Sequence, residues 1–184
     1  MIEDKQRWNK RHVEKPMRKN IEPIVEKYIS NAVVGKALDI ACGVGRNTHF
    51  IAEKGFEVDA VDLSDYALSQ VEEKENINKI EVDLDTYNLK TNEYDLIINI
   101  NYLSRRLFPQ IKDALKAGGI VIFETFIVAH GDFDQPANPE YLLRTNELLH
   151  AFIGLDIIYY EEREDVNLRG ENTRVASLVA KKRA

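Results

Sequence analysis

One cysteine, nine glycines, five prolines and a single tryptophan in 184 residues already exclude several architectures. Cys42 alone can form neither an internal disulfide framework nor a thiol set for structural zinc. No apolar run approaches the ~20 residues that a membrane helix needs. The start MIEDKQRWNK lacks the apolar core of a signal peptide. A cytoplasmic protein with no membrane partner is expected. No low-complexity tract or internal repeat interrupts the chain, so residues 1–184 are read as one domain with a full core.

What is present is a soluble composition, 44% hydrophobic and 30% charged, with a formal net charge of -6. The charge is uneven: residues 1–20 hold seven Lys or Arg against three acids, and Lys181, Lys182 and Arg183 lie near the last residue. The acidic body argues against a nucleic-acid groove across its main face.

Residues 3–15 read as a short helix laid over something, with Trp8, His12 and Val13 facing inward and Pro16 closing it. Ile21, Ile24, Val25, Tyr28 and Ile29 recur at helical spacing, with Pro23 in the first turn and an end near Asn31. Residues 1–30 are thus a helical cap on a core of residues 37–184. Strand-like and helix-like runs then alternate: KALDIA and RNTHFIAEKG, FEVDAVDL and DYALSQVEEKEN, KIEVDL, YDLIINI and RRLFPQIKDALKAGG, IVIFETF. Such alternation means an α/β fold with a mostly parallel sheet covered on both faces. The loop-like IVAHGDFDQPANPEY precedes a helix around Asn146 to Phe152 and is read as a lid or a disordered segment. LDIIYYEERE and TRVASLVAKK leave no room for a helix between them and should form an antiparallel hairpin.

Gly43-Val44-Gly45 sits where a strand turns into a helix and bare backbone can approach a ligand. A pyrophosphate turn would show Gly-x-Gly-x-x-Gly, whereas here Thr48 stands where the third glycine would follow Gly43-Val44-Gly45, and Ala41 leads into the turn. Asp39 ends the strand, and a carboxylate there repels a pyrophosphate and attracts an ammonium group. Asp62 ends the second strand, where an acid accepts hydrogen bonds from both ribose hydroxyls; this serves dinucleotides and adenosyl cofactors alike. Asp83, in VDLD, is placed to accept from an adenine amino group while the next backbone N–H, of Leu84, meets the ring; it also reads as a plain turn acid.

Asp39, Gly43, Gly45, Asp62 and Asp83 together suit an amino acid, a sulfonium, a ribose and an adenine. In these residues the chain resembles the class I S-adenosylmethionine-dependent methyltransferases over nearly its whole length. The family's first motif usually reads Asp/Glu-x-Gly-x-Gly-x-Gly; here Asp39-Ile40-Ala41-Cys42-Gly43-Val44-Gly45 has Ala41 for the first glycine. The resemblance implies a Rossmann-like seven-stranded sheet of order 3-2-1-4-5-7-6, S-adenosyl-L-methionine as cofactor, and methyl transfer by in-line displacement. GRN, RWNKRH, NYLSRRLFP and IFETF look more narrowly like small bacterial methyltransferases of tellurite-resistance or thiopurine type.

The cofactor-side candidates are Trp8, Arg11, Asp39, Ala41, Cys42, Gly43, Gly45, Arg46, Asn47, Asp62, Leu63, Asp83, Leu84 and Asn99. Trp8, Arg11 and His12 share a helix face by their spacing and could close over the methionine end. Cys42 should pack on the ligand without acting as a nucleophile. The acceptor-side candidates are His12, Asn101, Tyr102, Arg105, Glu124 and His130, beside Arg106 and Thr125; no metal is expected. The arginines suit an anionic small acceptor, and a thiol or metalloid acceptor would need no general base. An amino-methylating nucleic-acid enzyme would show Asp/Asn-Pro-Pro-Tyr/Phe where this chain has NINYLS, so no nucleic-acid partner is expected. The alternatives are a non-catalytic S-adenosylmethionine-binding or partner protein, and an RNA or protein methyltransferase. A nicotinamide oxidoreductase lacks a Tyr-x-x-x-Lys or similar pair here. The assembly is read as a monomer or homodimer.

Overall fold

The computed structural model describes residues 2–14, 20–167 and 170–183. Two helices come first, α1 (Ile2–Glu14) and α2 (Pro23–Tyr28), the latter with proline at its first position and continued by a 3-10 turn, Ile29–Asn31. The expected close of the first helix at Pro16 lies outside the described residues. The alternating core follows: β1 (Lys36–Ile40), α3 (Arg46–Glu53), β2 (Glu57–Asp62), α4 (Asp65–Ser69), β3 (Ile77–Glu81), β4 (Tyr94–Ile100), α5 (Leu107–Ala114), β5 (Leu115–Phe126), α6 (Glu147–Phe152), β6 (Asp156–Val166) and β7 (Asn172–Lys181).

The seven strands form one sheet of order β3-β2-β1-β4-β5-β7-β6. The first five are parallel, and β7 pairs antiparallel with both β5 and β6. Alternation along each strand divides the core between the two faces of the sheet. Leu38, Ile40, Ile97 and Phe123 meet α5 and α6 on one face. Ala37, Ile98, Ile120 and Ile122 meet α2, α3 and α4 on the other. On the first face Phe108, Phe123 and Phe152 pack with ring centroids 5.7–5.9 Å apart, the edge-on separation that aromatic quadrupoles favour.

Two helices are shorter than their sequence pattern predicts. The helical run from Asp65 stops at Ser69, because the Glu72 amide donates to Nε2 of His49 at 3.0 Å and turns the backbone away. LKAGG, expected at the end of α5, belongs to β5. Gly118 has φ 79°, and a Cβ on Gly119 would lie 2.9 Å from the carbonyl oxygens of Lys116 and Tyr94. Those glycines carry a register shift against β4 that a helix could not contain. β3 also ends at Glu81, short of the expected VDL.

The loop after β5 is built into the fold. Ile127 bridges to Leu143, Gln135 exchanges two 3.1 Å hydrogen bonds with the backbone of Ala129, and Asn138 caps the 3-10 turn Pro139–Tyr141. Among the described residues no helix is long and apolar enough to cross a membrane.

Candidate functional site

The carboxyl ends of the parallel strands gather most of the polar residues singled out from sequence. After β1 the chain turns through three residues in the left-handed region, Ala41 (φ 54°), Gly43 (φ 56°) and Gly45 (φ 81°). A Cβ at Gly45 would also lie 2.9 Å from Cγ2 of Val71, so this position requires glycine on both counts. Ala41 adopts the same region at a cost of roughly 1–2 kcal/mol. Its methyl group is only partly buried against the core. Ala41→Gly is therefore expected to raise stability by about 0.5 kcal/mol, the relief of strain exceeding the lost packing and added chain entropy. Urea unfolding checks it; a loss above about 1 kcal/mol would mean that the methyl packing dominates.

Asp62 locks this turn to the end of β2. Its Oδ2 accepts from the Gly43 amide at 2.9 Å and its Oδ1 from the Ser64 amide at 2.8 Å. Each oxygen keeps a lone pair for a further donor. Asp39 lies beneath the same turn, with Oδ2 accepting from the Thr48 hydroxyl at 2.6 Å. Burial pushes its pKa up to about 7; Thr48 and the Arg46 charge oppose the rise, and the Asp62 charge adds to it. Burial also drives the Cys42 thiol well above its ordinary range, which leaves it inert.

Asp83 is half-buried in a turn, its Oδ1 accepting from the Asp85 amide at 3.0 Å. Leu84 beside it is buried. At the end of β4, the buried Asn99 donates from Nδ2 to the Tyr102 carbonyl at 2.6 Å. Asn101 takes φ 59° and its amide donates to the Glu124 carbonyl at 2.8 Å. Burial raises the Tyr102 phenol far above its usual range.

The acceptor-side candidates separate. Glu124, 3% exposed, accepts at Oε2 from Ser177 Oγ at 2.5 Å and from Arg163 Nη2 at 2.9 Å. Burial raises its pKa, Ser177 and Arg163 oppose the rise, and the charge of Glu22 reinforces it. Arg46 donates to Glu22 at 2.5 Å and to the Asn20 carbonyl at 3.1 Å, while Asn47 Oδ1 accepts from the Glu22 amide at 3.0 Å. Two buried acids between two arginines thus connect the glycine turn with the terminal hairpin. Thr125 is buried in β5 and His130 is exposed on the loop.

The two adjacent arginines serve different ends. Arg105 pairs with Glu147 through Nε at 2.6 Å and Nη2 at 3.0 Å, and donates to the carbonyls of Glu140 and Leu142, both at 2.9 Å. All of its reach is taken up in clamping the loop after β5. Arg106 donates to the Tyr87 carbonyl at 2.7 Å and to Asn88 Oδ1 at 3.0 Å, which ties α5 to the β3–β4 connection.

Above the end of β2 lies α1. Arg11 stacks over Trp8 at 5.1 Å, and the Trp8 and His12 rings are 6.1 Å apart. His12 is half-buried and its pKa is lowered by that burial, with the Asp62 charge opposing and Arg11 adding to it. The sequence pattern did not reveal Glu22, Ser64, Arg163 or Ser177. Ser177 carries the one available signal, a hydroxyl inside the apolar run VASLVA. Among the described residues no group of three or more His, Cys, Asp or Glu is placed to hold a metal ion.

A five-stranded parallel sheet closed by an antiparallel hairpin, with the glycine turn after β1 and an acid ending β2, is the architecture of the class I methyltransferases. The family model described as tellurite resistance protein TehB matches residues 2–173, and the chain belongs to that family. It is 27% identical over 165 residues to a probable S-adenosyl-L-methionine-dependent methyltransferase TehB of Haemophilus influenzae, covering 80% of this chain and 57% of that protein. It is 30% identical over 103 residues to a putative methyltransferase YqeM of Bacillus subtilis, covering 49% of this chain and 42% of that one. The chain thus spans about half the length of these curated relatives. The crystal structure of TehB from Haemophilus influenzae superposes with a TM-score of 0.75 at 19% identity, over 97% of this chain and 67% of that one. A phosphoethanolamine N-methyltransferase of Haemonchus contortus in complex with S-adenosyl-L-methionine superposes with a TM-score of 0.70 at 17% identity, over 88% of this chain and 51% of that one. At these identities the superpositions speak for the fold.

Proposed function

We propose that this chain is an S-adenosyl-L-methionine-dependent methyltransferase acting on a small-molecule acceptor. The observation that carries the proposal is Asp62, fixed by the Gly43 and Ser64 amides with lone pairs left for a ribose. The turn fits the cofactor as well, since Gly43, at φ 56°, presents backbone without a side chain beside the Asp62 carboxylate. When bound, the cofactor supplies a sulfonium methyl: the acceptor's lone pair forms the new bond to carbon as the C–S bond breaks and its electrons return to sulfur.

In this reading Asp62 holds the ribose, Asp83 and the Leu84 amide meet the adenine, and Asp39 faces the ammonium group. Arg46 and Asn47 fix the turn from behind, Asn99 shapes the floor, and Trp8, Arg11 and His12 cover the cofactor. Asn101, Tyr102 and Glu124 line the acceptor side; Glu124, its proton affinity raised by burial, suits an acceptor that releases a proton. His130 stands at the rim, and Arg105 acts through the loop that it clamps.

Calorimetric titration with S-adenosylhomocysteine, with NAD as comparison, tests the proposal. Saturable binding of the former alone supports it; binding of NAD alone or of neither ends it. A pH series adds a second check. With the Asp39 pKa at about 7, only the ionised form pairs by charge with the ligand's ammonium group, so affinity should fall up to about tenfold from pH 8 to pH 6. Asp39→Asn should bind weakly at both. An unchanged slope in that variant would assign the titration to another group.

A further inference from the structure

Lys5 and Asn9 stand four residues apart on α1, on one helix face. Both reach residues at the carboxyl ends of β2 and β3, which no motif had connected with the N-terminal helix. Lys5 Nζ lies 2.6 Å from Glu81 Oε1 and 2.9 Å from Asp65 Oδ2. Asn9 Nδ2 donates to Asp65 Oδ1 at 2.7 Å, and its Oδ1 accepts from Ser64 Oγ at 2.6 Å. The same Ser64 oxygen caps α4 by accepting from the Ala67 amide at 3.0 Å, while the Ser64 amide donates to Asp62 at 2.8 Å. A continuous line of hydrogen bonds therefore runs from the β2 carboxylate through Ser64 and Asn9 to the helix above it. Trp8 and His12, one residue round the helix from that face, are brought over the same strand end, where the charge of Asp62 acts on His12.

Resting on the cofactor reading above, we infer that Lys5 and Asn9 are positioning residues that latch α1 over the ribose site and set how fast the cofactor leaves. The latch is a three-charge cluster on the surface: the Asp65 and Glu81 side chains are 52% and 49% exposed and that of Lys5 is 28% exposed. Ion pairs so exposed are screened by salt and break readily. Such a contact closes the site while the ligand is held and yields for exchange of product. Asn9 gives the latch direction, since its amide fits only when donor and acceptor face Asp65 and Ser64 together. A bound ribose that fixes Asp62 fixes Ser64, and through Ser64 it favours the docked helix.

Trp8 is the only tryptophan of the chain and sits on the latched helix, so its fluorescence reports both occupancy and docking. Stopped-flow mixing with S-adenosylhomocysteine over a range of concentrations should give, from the intercept and slope of the observed rate, dissociation three- to tenfold faster in Lys5→Ala and in Asn9→Ala than in the natural chain, with association changed less than twofold. Raising NaCl from about 50 to about 500 mM should speed dissociation from the natural chain and have little effect on Lys5→Ala, because salt screens the exposed Lys5 pairs and the variant has none to lose. Lys5→Arg should restore slow release. Equal dissociation rates with the same salt dependence in the natural chain and Lys5→Ala would overturn the latch and leave the cofactor reading intact. Failure of the natural chain to bind S-adenosylhomocysteine would overturn the cofactor reading and the latch with it.

Discussion

Replacing Asp62 by alanine is expected to weaken S-adenosylhomocysteine binding at least a hundredfold. Two hydrogen bonds from ribose hydroxyls to a buried carboxylate contribute about 1.5–3 kcal/mol each, and about 3–6 kcal/mol in sum corresponds to a factor of roughly one hundred to ten thousand or more. The substitution also leaves the Gly43 and Ser64 amides without their acceptor, so the turn loses its frame together with its ligand contact. Asparagine does not rescue it, because one of its two terminal atoms is a donor facing a backbone donor. Asp59 on the same strand is the control. It too is buried, but its carboxylate accepts from the Tyr94 hydroxyl and from Asn78 Nδ2, both at 2.9 Å, and lies 3.3 Å from Lys36 Nζ. Asp59→Asn should therefore lower stability and leave affinity within about twofold, since Lys36 and Tyr94 lie at the amino ends of β1 and β4, away from the carboxyl ends that hold the site. Affinity of Asp62→Ala within threefold of the natural chain would remove Asp62 from the cofactor site.

The α/β class and the terminal hairpin were legible because strand-like and helix-like runs alternate and no helix fits between the last two strands, whereas the sheet order came with the resemblance to the class I methyltransferases. Helix lengths were not. Leu107, Ile111 and Leu115 keep helical spacing, yet the chain leaves the helix after Ala114 because Gly118 and Gly119 are needed for the register shift in β5. At the site, Asp39 and Asp62 stood out as acids near the ends of strand-like runs, a local signal. Arg163 carried no such signal and Ser177 only its hydroxyl inside VASLVA, because what makes them partners of Glu124 is strand register: Glu124 pairs with Ser177 across β5 and β7, and Arg163 reaches over from β6. Arg105 was assigned to the acceptor by the company it keeps in sequence, while in the fold its partner Glu147 arrives 42 residues later. Lys5 and Asn9 sat in a charged run that reads as a solvated helix face until α4 is placed beneath it.

Arg163→Met should lower stability by about 2–3 kcal/mol at pH 8, and by much less at low pH. Removing one partner of a buried pair costs about 3–5 kcal/mol because the other charge is left behind; the partial exposure of the guanidinium, 31%, reduces that here. The pH dependence identifies Glu124 as the stranded charge. Burial already holds its folded pKa above the ordinary 4.5, with Ser177 and Arg163 drawing it down and Glu22 pushing it up. The folded chain thus binds this proton more tightly than the unfolded chain, and Glu124 lowers stability as pH rises from 4.5 through its folded value. Without Arg163 the folded value moves higher, so the decline continues to higher pH and the two proteins diverge as pH rises. Below both values Glu124 is neutral in each, and little remains between them except the guanidinium's own hydrogen bonds to Ser177 and Asp165. Urea unfolding at pH 5 and pH 8 measures the divergence. In a Glu124→Gln background the pH dependence of the Arg163→Met loss should vanish, because the amide keeps the shape and carries no charge. A loss of equal size at both pH values would mean that Arg163 acts through packing, and that the chain of acids and arginines from Arg46 to the hairpin is not coupled by charge.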